Sequence, residues 1–452
     1  RYYADMPSTV SDVYIDTGAG DAWHTVLIGG GRAGGKGLFA LNITDPSQFI
    51  EDTAHAANLV LWEFDDSDDA DMGFTYSKPS IAMMNNDRWA AIFGNGYNST
   101  GDGTASLFIV FLDGGLDGTW TLGSDYIKIT TEVGSIVSNN CSNASSDCNG
   151  LSTPQIVDMD GDSVVDRIYA GDLKGNMWVF DVTGNDPAGW DSAYKTNTPK
   201  PLFTASHSST VQPITNRPIL AIHPSSLGGD PDVLVFFGTG QYLTSGDISN
   251  TETQSFYGVW DNGAHSLTPT DLVEQTFLNL AFQDESDVNI SSQIRVLTDN
   301  AVDYAGADNG WVINLTIDSG ERVIVDPDLR GDLVFFNTWI PDSNPCNAGG
   351  SGVLMSVKQL NGGRPDTPAF DLNNSGTVDS SDYVFVTNSD GSIDSYAPSG
   401  ERFSEGLPAS SSFLSNKQYT PGTDGGSTID ERDVEDLSAE NSGRVSWQEL
   451  MK

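Results

Sequence analysis

The residues with the clearest chemical potential are four aspartates at alternating positions of one short loop. Asp158, Asp160, Asp162 and Asp166 occupy positions 1, 3, 5 and 9 of the segment DMDGDSVVD. Carboxylates this close repel one another without a cation, and Ca²⁺ takes roughly six to eight oxygens from alternate residues of such a loop. The backbone carbonyl of Val164, at position 7, completes the predicted ligand set. The spacing therefore predicts a first calcium site.

Two positions of this first loop depart from a helix-flanked calcium hand. Position 6 is Ser163 rather than Gly, and a glycine stands instead at position 4, Gly161. Position 12 is Tyr169, so no bidentate Glu closes the site. A solvated acidic turn is the alternative interpretation, but spacing this regular is uncommon by chance and favours calcium.

A second segment, from Asp371 to Asp382, matches the calcium-loop pattern with fewer charges. Its position 6 is Gly376, which suits the sharp turn of such a loop. The predicted ligands at positions 1, 3, 5, 7, 9 and 12 are Asp371, Asn373, Ser375, the Thr377 carbonyl, Asp379 and Asp382. Fewer carboxylates predict weaker binding here, and a polar hairpin turn is the alternative.

The first loop must be positioned by strands on both sides. Ile156 and Val157 end an apolar strand before the loop, and residues 167–170 start another after it. Residues 172–176, DLKGN, turn the chain, and residues 177–182 run back with alternating faces. Turn chemistry and period-2 alternation together predict a β-hairpin that carries the loop.

Similar units recur along the chain and predict its fold. Each unit has a strand led by Pro, an apolar strand, a Gly/Asn turn and a strand that often ends in Asp and Gly. The 48 glycines fit many short strands and turns. Units spaced at roughly 50–70 residues indicate an all-β fold of the β-propeller type. Two β-sandwiches are the alternative, but they do not explain the recurring turn.

The charge balance restricts the classes of partner. The 452 residues include 21 basic and 63 acidic side chains, a net charge of -42. This argues against nucleic acid as a partner, because its binding depends on Lys and Arg at phosphates. The acidity suits a secreted or surface protein, a saline habitat or a divalent-cation binder, and it also keeps a large surface soluble. The sequence contains no apolar stretch of about 18 residues, which is the length that a membrane span requires.

The first residues of the chain bear on how the protein is processed, and its cysteines bear on the cellular compartment. The sequence begins abruptly at Arg1 without a signal peptide, so we expect a leader or larger N-terminal region to precede it. Cys141 and Cys148 flank a short polar loop and predict a local disulfide, which indicates an oxidising compartment. Cys346 is left over, either free or paired with a segment outside this chain.

Three further patterns are weaker. The glycine-rich turn 29–37 comes close to a phosphate loop, but Gly37 replaces the Ser/Thr that should follow Lys36, and a strand is expected next. The acidic run 65–71 could bind a cation, although such runs are more often solvated loops. No catalytic order or metal-ligand spacing connects the five histidines, His24, His55, His207, His223 and His265.

Seven segments in chain order carry a family resemblance. They are VLIGGGRAGGKGLFALNITDP, IFGNGYNST, STPQIVDMDGDSVVDRIYAGDLKGNMWVFDV, QPITNRP, VFFGTGQYLTSGD, FYGVWD and GRVSWQEL. Together they resemble the C-terminal β-propeller of the PilC/PilY type IV pilus tip adhesins and biogenesis factors. The resemblance implies that residues 1–452 are this domain, a modified propeller of seven blades with long loop insertions. It also implies that part of the first blade and a variable N-terminal region are absent.

The resemblance further implies a calcium-binding factor that is not an enzyme, at the pilus tip or outer cell surface. Family members support pilus assembly, oppose retraction, and mediate surface attachment and twitching motility. Minor pilins of the tip complex and a host or abiotic surface receptor are the expected partners. Arg330-Gly331-Asp332 matches a tripeptide that some members use for integrin attachment, but a turn is required there in any case.

Two other functions stay open at this point. Quinone-dependent dehydrogenases are propellers with similar Gly-Asn-Trp turns, but this chain has no adjacent-cysteine pair to serve as a quinone platform. An enzyme also needs convergent polar groups in a pocket, which sequence order does not reveal. A lectin-like surface propeller would bind glycans and is compatible with adhesion.

Overall fold

A computed structural model describes residues 5–224, 230–344, 349–424 and 429–435. The described residues form two compact units, the first ending at Phe203 and the second beginning at Thr204. Cys346 and the closing segment GRVSWQEL lie outside the described residues. Whether residues 1–452 form a single domain stays a prediction.

Strands dominate the described chain, with short helical elements between them. The α-helix α1 spans Thr53–Leu59, and the Asp52 side chain accepts a hydrogen bond from the His55 amide at its start. The 3₁₀ helices are Arg32–Gly34, Pro46–Gln48, Pro187–Gly189, Asp247–Ser249, Pro269–Asp271 and Ser380–Asp382. The described part of the chain contains no helix with the length and hydropathy that a bilayer crossing requires.

Three sheets follow one another in the first unit. The strands are β1 (Thr9–Asp16), β2 (Asp21–Gly30), β3 (Gly37–Asn42), β4 (Val60–Asp65), β5 (Ser80–Met83), β6 (Trp89–Gly94), β7 (Thr104–Phe111), β8 (Tyr126–Gly134), β9 (Gln155–Val157), β10 (Arg167–Gly171), β11 (Asn176–Asp181), β12 (Asp191–Ser192) and β13 (Phe203–Thr204). Their orders are β1-β2-β3-β4, β5-β6-β7-β8 and β12-β11-β10-β9, with β13 beside β11. The hairpin predicted around 172–176 is confirmed, because β10 pairs antiparallel with β11.

Alternation along β6 explains how these sheets pack. Ala91 and Phe93 belong to the core shared with the β1–β4 sheet, whereas Ala90 and Ile92 belong to the core shared with the β9–β12 sheet. A strand with period 2 presents successive side chains to opposite faces. The middle sheet is therefore apolar on both faces and stacks between its neighbours, which is how radially arranged blades bury their surfaces.

The second unit repeats this sheet-on-sheet packing. Its strands are β14 (Ser206–His207), β15 (Thr210–Val211), β16 (Ile219–Ile222), β17 (Val233–Gly238), β18 (Ser255–Asp261), β19 (Val273–Gln275), β20 (Ile294–Arg295), β21 (Gly310–Asn314), β22 (Asp328–Arg330), β23 (Leu333–Pro341), β24 (Gly350–Lys358), β25 (Val384–Thr387), β26 (Ile393–Tyr396), β27 (Gly400–Phe403), β28 (Ser412–Leu414), β29 (Lys417–Thr420) and β30 (Asp430–Asp433). Two five-stranded sheets run β16-β17-β18-β21-β19 and β20-β27-β24-β23-β22. Phe256 and Phe336 stack between them with ring centroids 3.9 Å apart.

Three smaller sheets complete the second unit. They are the hairpins β14-β15 and β25-β26 and the three-stranded sheet β28-β29-β30. The segment predicted as the second calcium loop precedes β25. It is tied to β30, because the Asp371 amide donates a hydrogen bond to the Asp433 carbonyl at 3.1 Å.

The disulfide predicted between Cys141 and Cys148 is present in the first unit. It closes the loop that follows β8, and Ser135 and Asp147 form a bridge within that loop. Lys174, in the turn between β10 and β11, forms an ion pair with Asp147. The disulfide loop therefore contacts the hairpin that carries the first acidic loop.

Candidate metal centre

The first loop connects β9 to β10, as predicted, and its aspartates organise its backbone. Asp158 accepts hydrogen bonds from the Gly161 amide at its Oδ1 atom and from the Ser163 amide at its Oδ2 atom, both at 2.7 Å. The Asp160 carboxylate accepts one from the Asp162 amide at 3.1 Å. Asp158 therefore shapes the loop in addition to offering ligand oxygens.

Three of the four predicted carboxylates lie close together. One ligand oxygen each from Asp158, Asp160 and Asp166 falls within 4.8 Å of the others, the one such group of three among the described residues. Asp162 is not part of this group, and its Oδ1 atom accepts a hydrogen bond from the Val164 amide at 2.9 Å. Clustered carboxylate oxygens are the hard ligands that Ca²⁺ prefers, so these residues fit the ion.

Asp166 is the buried member of the group, with 7% of its surface exposed. Burial raises the pKa of Asp166; a hydrogen bond from the Met159 amide opposes this rise, and the charges of Asp160 and Asp158 add to it. Like charges that share a small space disfavour one another's ionised form. A divalent cation between these oxygens would remove that repulsion.

The β5–β8 sheet fixes the end of the loop. Val165 bridges to Met84, and its amide donates a hydrogen bond to the Met83 carbonyl at 3.1 Å. The Asn85 side chain donates to the carbonyls of Val165 at 2.8 Å and Val182 at 3.0 Å. Sequence spacing could not reveal this support, because Asn85 lies 80 residues before Val165.

A buried carboxylate that the sequence did not single out organises the adjacent hairpin turn. Asp172 is fully buried and accepts hydrogen bonds from the Asn149 side chain at 2.8 Å, the Trp178 indole at 2.8 Å and the Asn176 amide at 2.9 Å. Burial raises the pKa of Asp172, and hydrogen bonds from Trp178, Asn176 and Asn149 oppose the rise. Asp172 is therefore a structural residue that holds the hairpin.

The second loop is also closed by its own side chains. Asp371 accepts hydrogen bonds from the amides of Ser375 at 3.0 Å and Gly376 at 2.7 Å. Asp379 caps the 3₁₀ helix Ser380–Asp382 by accepting the Ser381 amide at 2.8 Å.

Two of its predicted ligands contact each other directly. The Ser375 hydroxyl donates to the Thr377 carbonyl at 2.9 Å, and the Asn373 side chain donates to the Ser381 hydroxyl at 2.6 Å. Asp382 is fully buried, and burial raises its pKa. Within the described residues, the carboxylates of this loop do not form a close group of three like that of the first loop.

The two loops nevertheless share one hydrogen-bonding scheme. In each, the first aspartate accepts the amide of position 6, and the last acidic residue accepts the amide of position 2. In the first loop, the amides of Ser163 and Met159 donate to Asp158 and Asp166, both at 2.7 Å. In the second loop, the Gly376 amide donates to Asp371 at 2.7 Å and the Leu372 amide donates to Asp382 at 2.9 Å. Both segments therefore adopt the same kind of closed acidic loop.

Two carboxylates of the acidic run 65–71 form ion pairs with a lysine from β8. The Lys128 ammonium lies 2.7 Å from Asp71 and 2.9 Å from Asp69, and the Tyr126 hydroxyl donates to Asp69 at 3.0 Å. Burial disfavours the charged ammonium, but hydrogen bonds to Asp71 and Asp69 hold the pKa of Lys128 above its usual range. These two carboxylates form an ion-pair cluster.

The remaining weak patterns have structural roles. The strand β3 follows the glycine-rich turn, as predicted, and Lys36 lies 3.9 Å from Asp66. Arg330 donates a hydrogen bond to the Ser415 carbonyl at 2.8 Å and its guanidinium lies over the Phe413 ring, so it supports the turn before β23. No histidine of the described residues joins a group of three metal-ligating side chains.

Comparison with known proteins identifies the family. Residues 1–293, which include the first loop, match the family model of the PilY1 beta-propeller domain. The chain belongs to the PilY1 family. Its all-β propeller fold is thereby confirmed, and the number of seven blades stays a prediction.

Individual relatives and a solved structure agree with this assignment. A type IV pilus biogenesis factor PilY1 homolog of Xylella fastidiosa is 37% identical over 80% of this chain, and the PilY1 of a Pseudomonas aeruginosa strain is 34% identical over 85%. This chain spans 23% and 34% of those proteins. The crystal structure of the Pseudomonas aeruginosa PilY1 C-terminal domain superposes with a TM-score of 0.70 and 28% identity, covering 94% of this chain and 82% of that one.

Proposed function

We propose that this propeller is the calcium-binding part of a type IV pilus biogenesis factor. The observation that carries the proposal is the group formed by Asp158, Asp160 and Asp166, on a loop inside the segment that matches the PilY1 family. Ca²⁺ bound there joins three carboxylates that otherwise repel one another. The relatives are named as biogenesis factors, which supports a role in assembly rather than catalysis.

The ligand set of the first loop is Asp158, Asp160, Asp162, the Val164 carbonyl and Asp166. In the structure Asp162 lies outside the close group, and its carboxylate would complete the ligand set of an ion held by the other three aspartates. The second loop, with the ligands predicted from sequence, is a weaker calcium site. The hydrogen-bonding scheme that it shares with the first loop supports this assignment.

Membership of the family supports the cellular role that we propose. The propeller acts outside the cell at the pilus tip or outer surface, where it contacts minor pilins and a host or abiotic surface. There it opposes retraction and supports attachment and twitching motility. The Cys141–Cys148 disulfide supports an oxidising location, because such bonds persist outside the cytosol.

The proposal is tested with the full-length protein in its own bacterium. Asp160→Ala removes one predicted ligand oxygen together with the acceptor of the Asp162 amide. We expect cells carrying this variant to lose calcium-dependent twitching and to show altered numbers of surface pili. The control is Asp117→Ala, which removes a loop carboxylate that accepts the Thr119 amide outside either acidic loop.

Wild-type pilus numbers, attachment and twitching in the Asp160→Ala strain, at protein levels equal to the parent, would contradict the calcium role. Loss of the same functions in the Asp117→Ala strain would show that the assay reports general damage to the protein.

A further inference from the structure

An open groove lies beside the first loop, and its aromatic side chains have no part in the function proposed above. The groove has a volume of about 500 Å³ and is widely open to solvent. Tyr14, Trp23, Met83 and Trp89 line it from the sheets, and residues 162–164 line it from the loop. Two sheets of the first unit and the loop between β9 and β10 therefore border this groove.

The aromatic lining includes an exposed pair. Tyr14 and Trp23 are directly opposite each other in the β1–β2 register, with ring centroids 5.6 Å apart. They are 48% and 59% exposed, whereas Trp89 is only 3% exposed. An exposed pair of Tyr and Trp offers two apolar ring faces with polar atoms at their edges, and these residue types are enriched at binding surfaces.

The charge of the groove indicates which class of ligand it binds. Asp162 is exposed and stands outside the close carboxylate group, and the chain carries a net charge of -42. Aromatic faces and a carboxylate attract the same ligand, a cation. The other polar groups of the lining are the Ser163 and Tyr14 hydroxyls and the indole N–H groups of Trp23 and Trp89.

We propose that this groove binds a lysine side chain presented by a partner protein. Lysine carries a compact ammonium on a long apolar stem. The stem packs against Met83 and Val164, and the ammonium lies between the aromatic faces and Asp162. A partner with exposed lysines also complements the acidic surface of this chain.

Calcium regulates this binding, a part of the inference that rests on the proposed function. Asp162 and Val164 belong both to the groove and to the predicted ligand set of the first loop. Ca²⁺ held by the first loop would take up the Asp162 carboxylate and would add positive charge beside the groove. Calcium and lysine therefore weaken each other's binding by the same factor, as linkage requires.

The test uses fluorescence anisotropy with a labelled peptide that contains three lysines, at low salt and in a calcium chelator. We expect Trp23→Leu, which keeps the net charge, to weaken peptide binding about three- to tenfold. A peptide with norleucine in place of each lysine should not bind. Phe49→Leu is the matched control, because Phe49 is 53% exposed and does not line the groove.

Several results would overturn the proposal. Equal peptide affinity for Trp23→Leu and the parent would mean attraction to the acidic surface in general, and equal binding of the norleucine peptide would mean a merely apolar groove. Displacement of the peptide by choline at lower concentrations than by N-acetyl-lysine methylamide would assign the groove to a quaternary ammonium instead.

The calcium effect is measured separately. Addition of calcium should raise the peptide Kd for the parent, and an unchanged Kd while calorimetry shows an occupied loop would contradict the coupling. The first titration contains chelator and therefore tests peptide binding to the groove without calcium. Absence of the calcium site would leave that titration unchanged and would appear only in the calorimetry.

Discussion

At the scale of single residues, a few buried acids set how the protein responds to pH. Glu401 on β27 is the clearest, with 21% of its side chain exposed and an ion pair to Arg432. Burial raises the pKa of Glu401 to about 7; Arg432 opposes the rise, whereas the charges of Asp430, Asp371 and Asp382 add to it. Its ionised form is therefore unfavourable in the fold.

The sign of this effect follows from linkage. The pKa of Glu401 is higher in the folded chain than its ordinary value of 4.5. The stability that its protonated form contributes is complete below pH 4.5 and is lost as the pH rises through about 7. We expect Glu401→Gln to remove this part of the pH dependence.

Denaturant unfolding of the parent and of Glu401→Gln from about pH 4.5 to 8, in chelator, measures the difference. As the pH rises, the free energy of unfolding of the parent should fall relative to that of the variant. A gap that stays constant with pH would contradict the raised pKa.

At the scale of elements, the two acidic loops depend on glycines that adopt left-handed backbone. Gly161 has φ +85° and Gly376 has φ +88°, and at either glycine an added Cβ would meet no atom within 4 Å. Gly161→Ala and Gly376→Ala should each lower the free energy of unfolding by about 1 kcal/mol, through backbone strain alone. Chemical denaturation measures the loss.

Gly184→Ala is the control for these loop glycines. An added Cβ would meet no atom there either, but the Gly184 backbone lies outside the left-handed region. Its free energy of unfolding should not fall. Equal effects at all three glycines would show that the loops lack the closed conformation described above.

The ion cluster between the acidic run and β8 makes a second prediction at this scale. Asp69 and Asp71 have side chains only 8% exposed, and both bind the Lys128 ammonium. Lys128→Met leaves two buried carboxylates without their cation and should cost about 2–3 kcal/mol of folding free energy. Thermal and urea unfolding of the variant measure this cost.

Lys195→Met provides the comparison. Lys195 pairs with Asp191 four residues before it, and both side chains are more than a third exposed. Removing such a pair should change stability by less than about 0.5 kcal/mol. A similar loss in the two variants would mean that burial does not strengthen the Lys128 pairs.

At the scale of the whole molecule, local patterns could be predicted from the sequence and distant contacts could not. Alternation and turn residues predicted the β10–β11 hairpin, because these signals lie within a few residues. The spacing of the aspartates placed Asp158, Asp160 and Asp166 on one loop for the same reason. Lys128 pairs with Asp71 across 57 positions of sequence, and the residues of the acidic run do not predict this pairing.

The same limit applies to the surroundings of the first loop. Asp162 lines the same groove as Tyr14 and Trp23, which come from strands at the start of the chain. The buried carboxylate of Asp172 depends on Asn149, which lies across a loop. Such contacts are set by sheet packing rather than by local spacing.

The most direct test of the central claim is a calcium titration by calorimetry on the purified chain, with Asp160→Ala and Asp379→Ala as single-loop variants. We predict two bound ions for the parent and one fewer for each variant. Calcium at a hundredfold excess over its Kd should stabilise the parent by about 2.7 kcal/mol per site. No heat of binding and no stabilisation of the parent would contradict the calcium account.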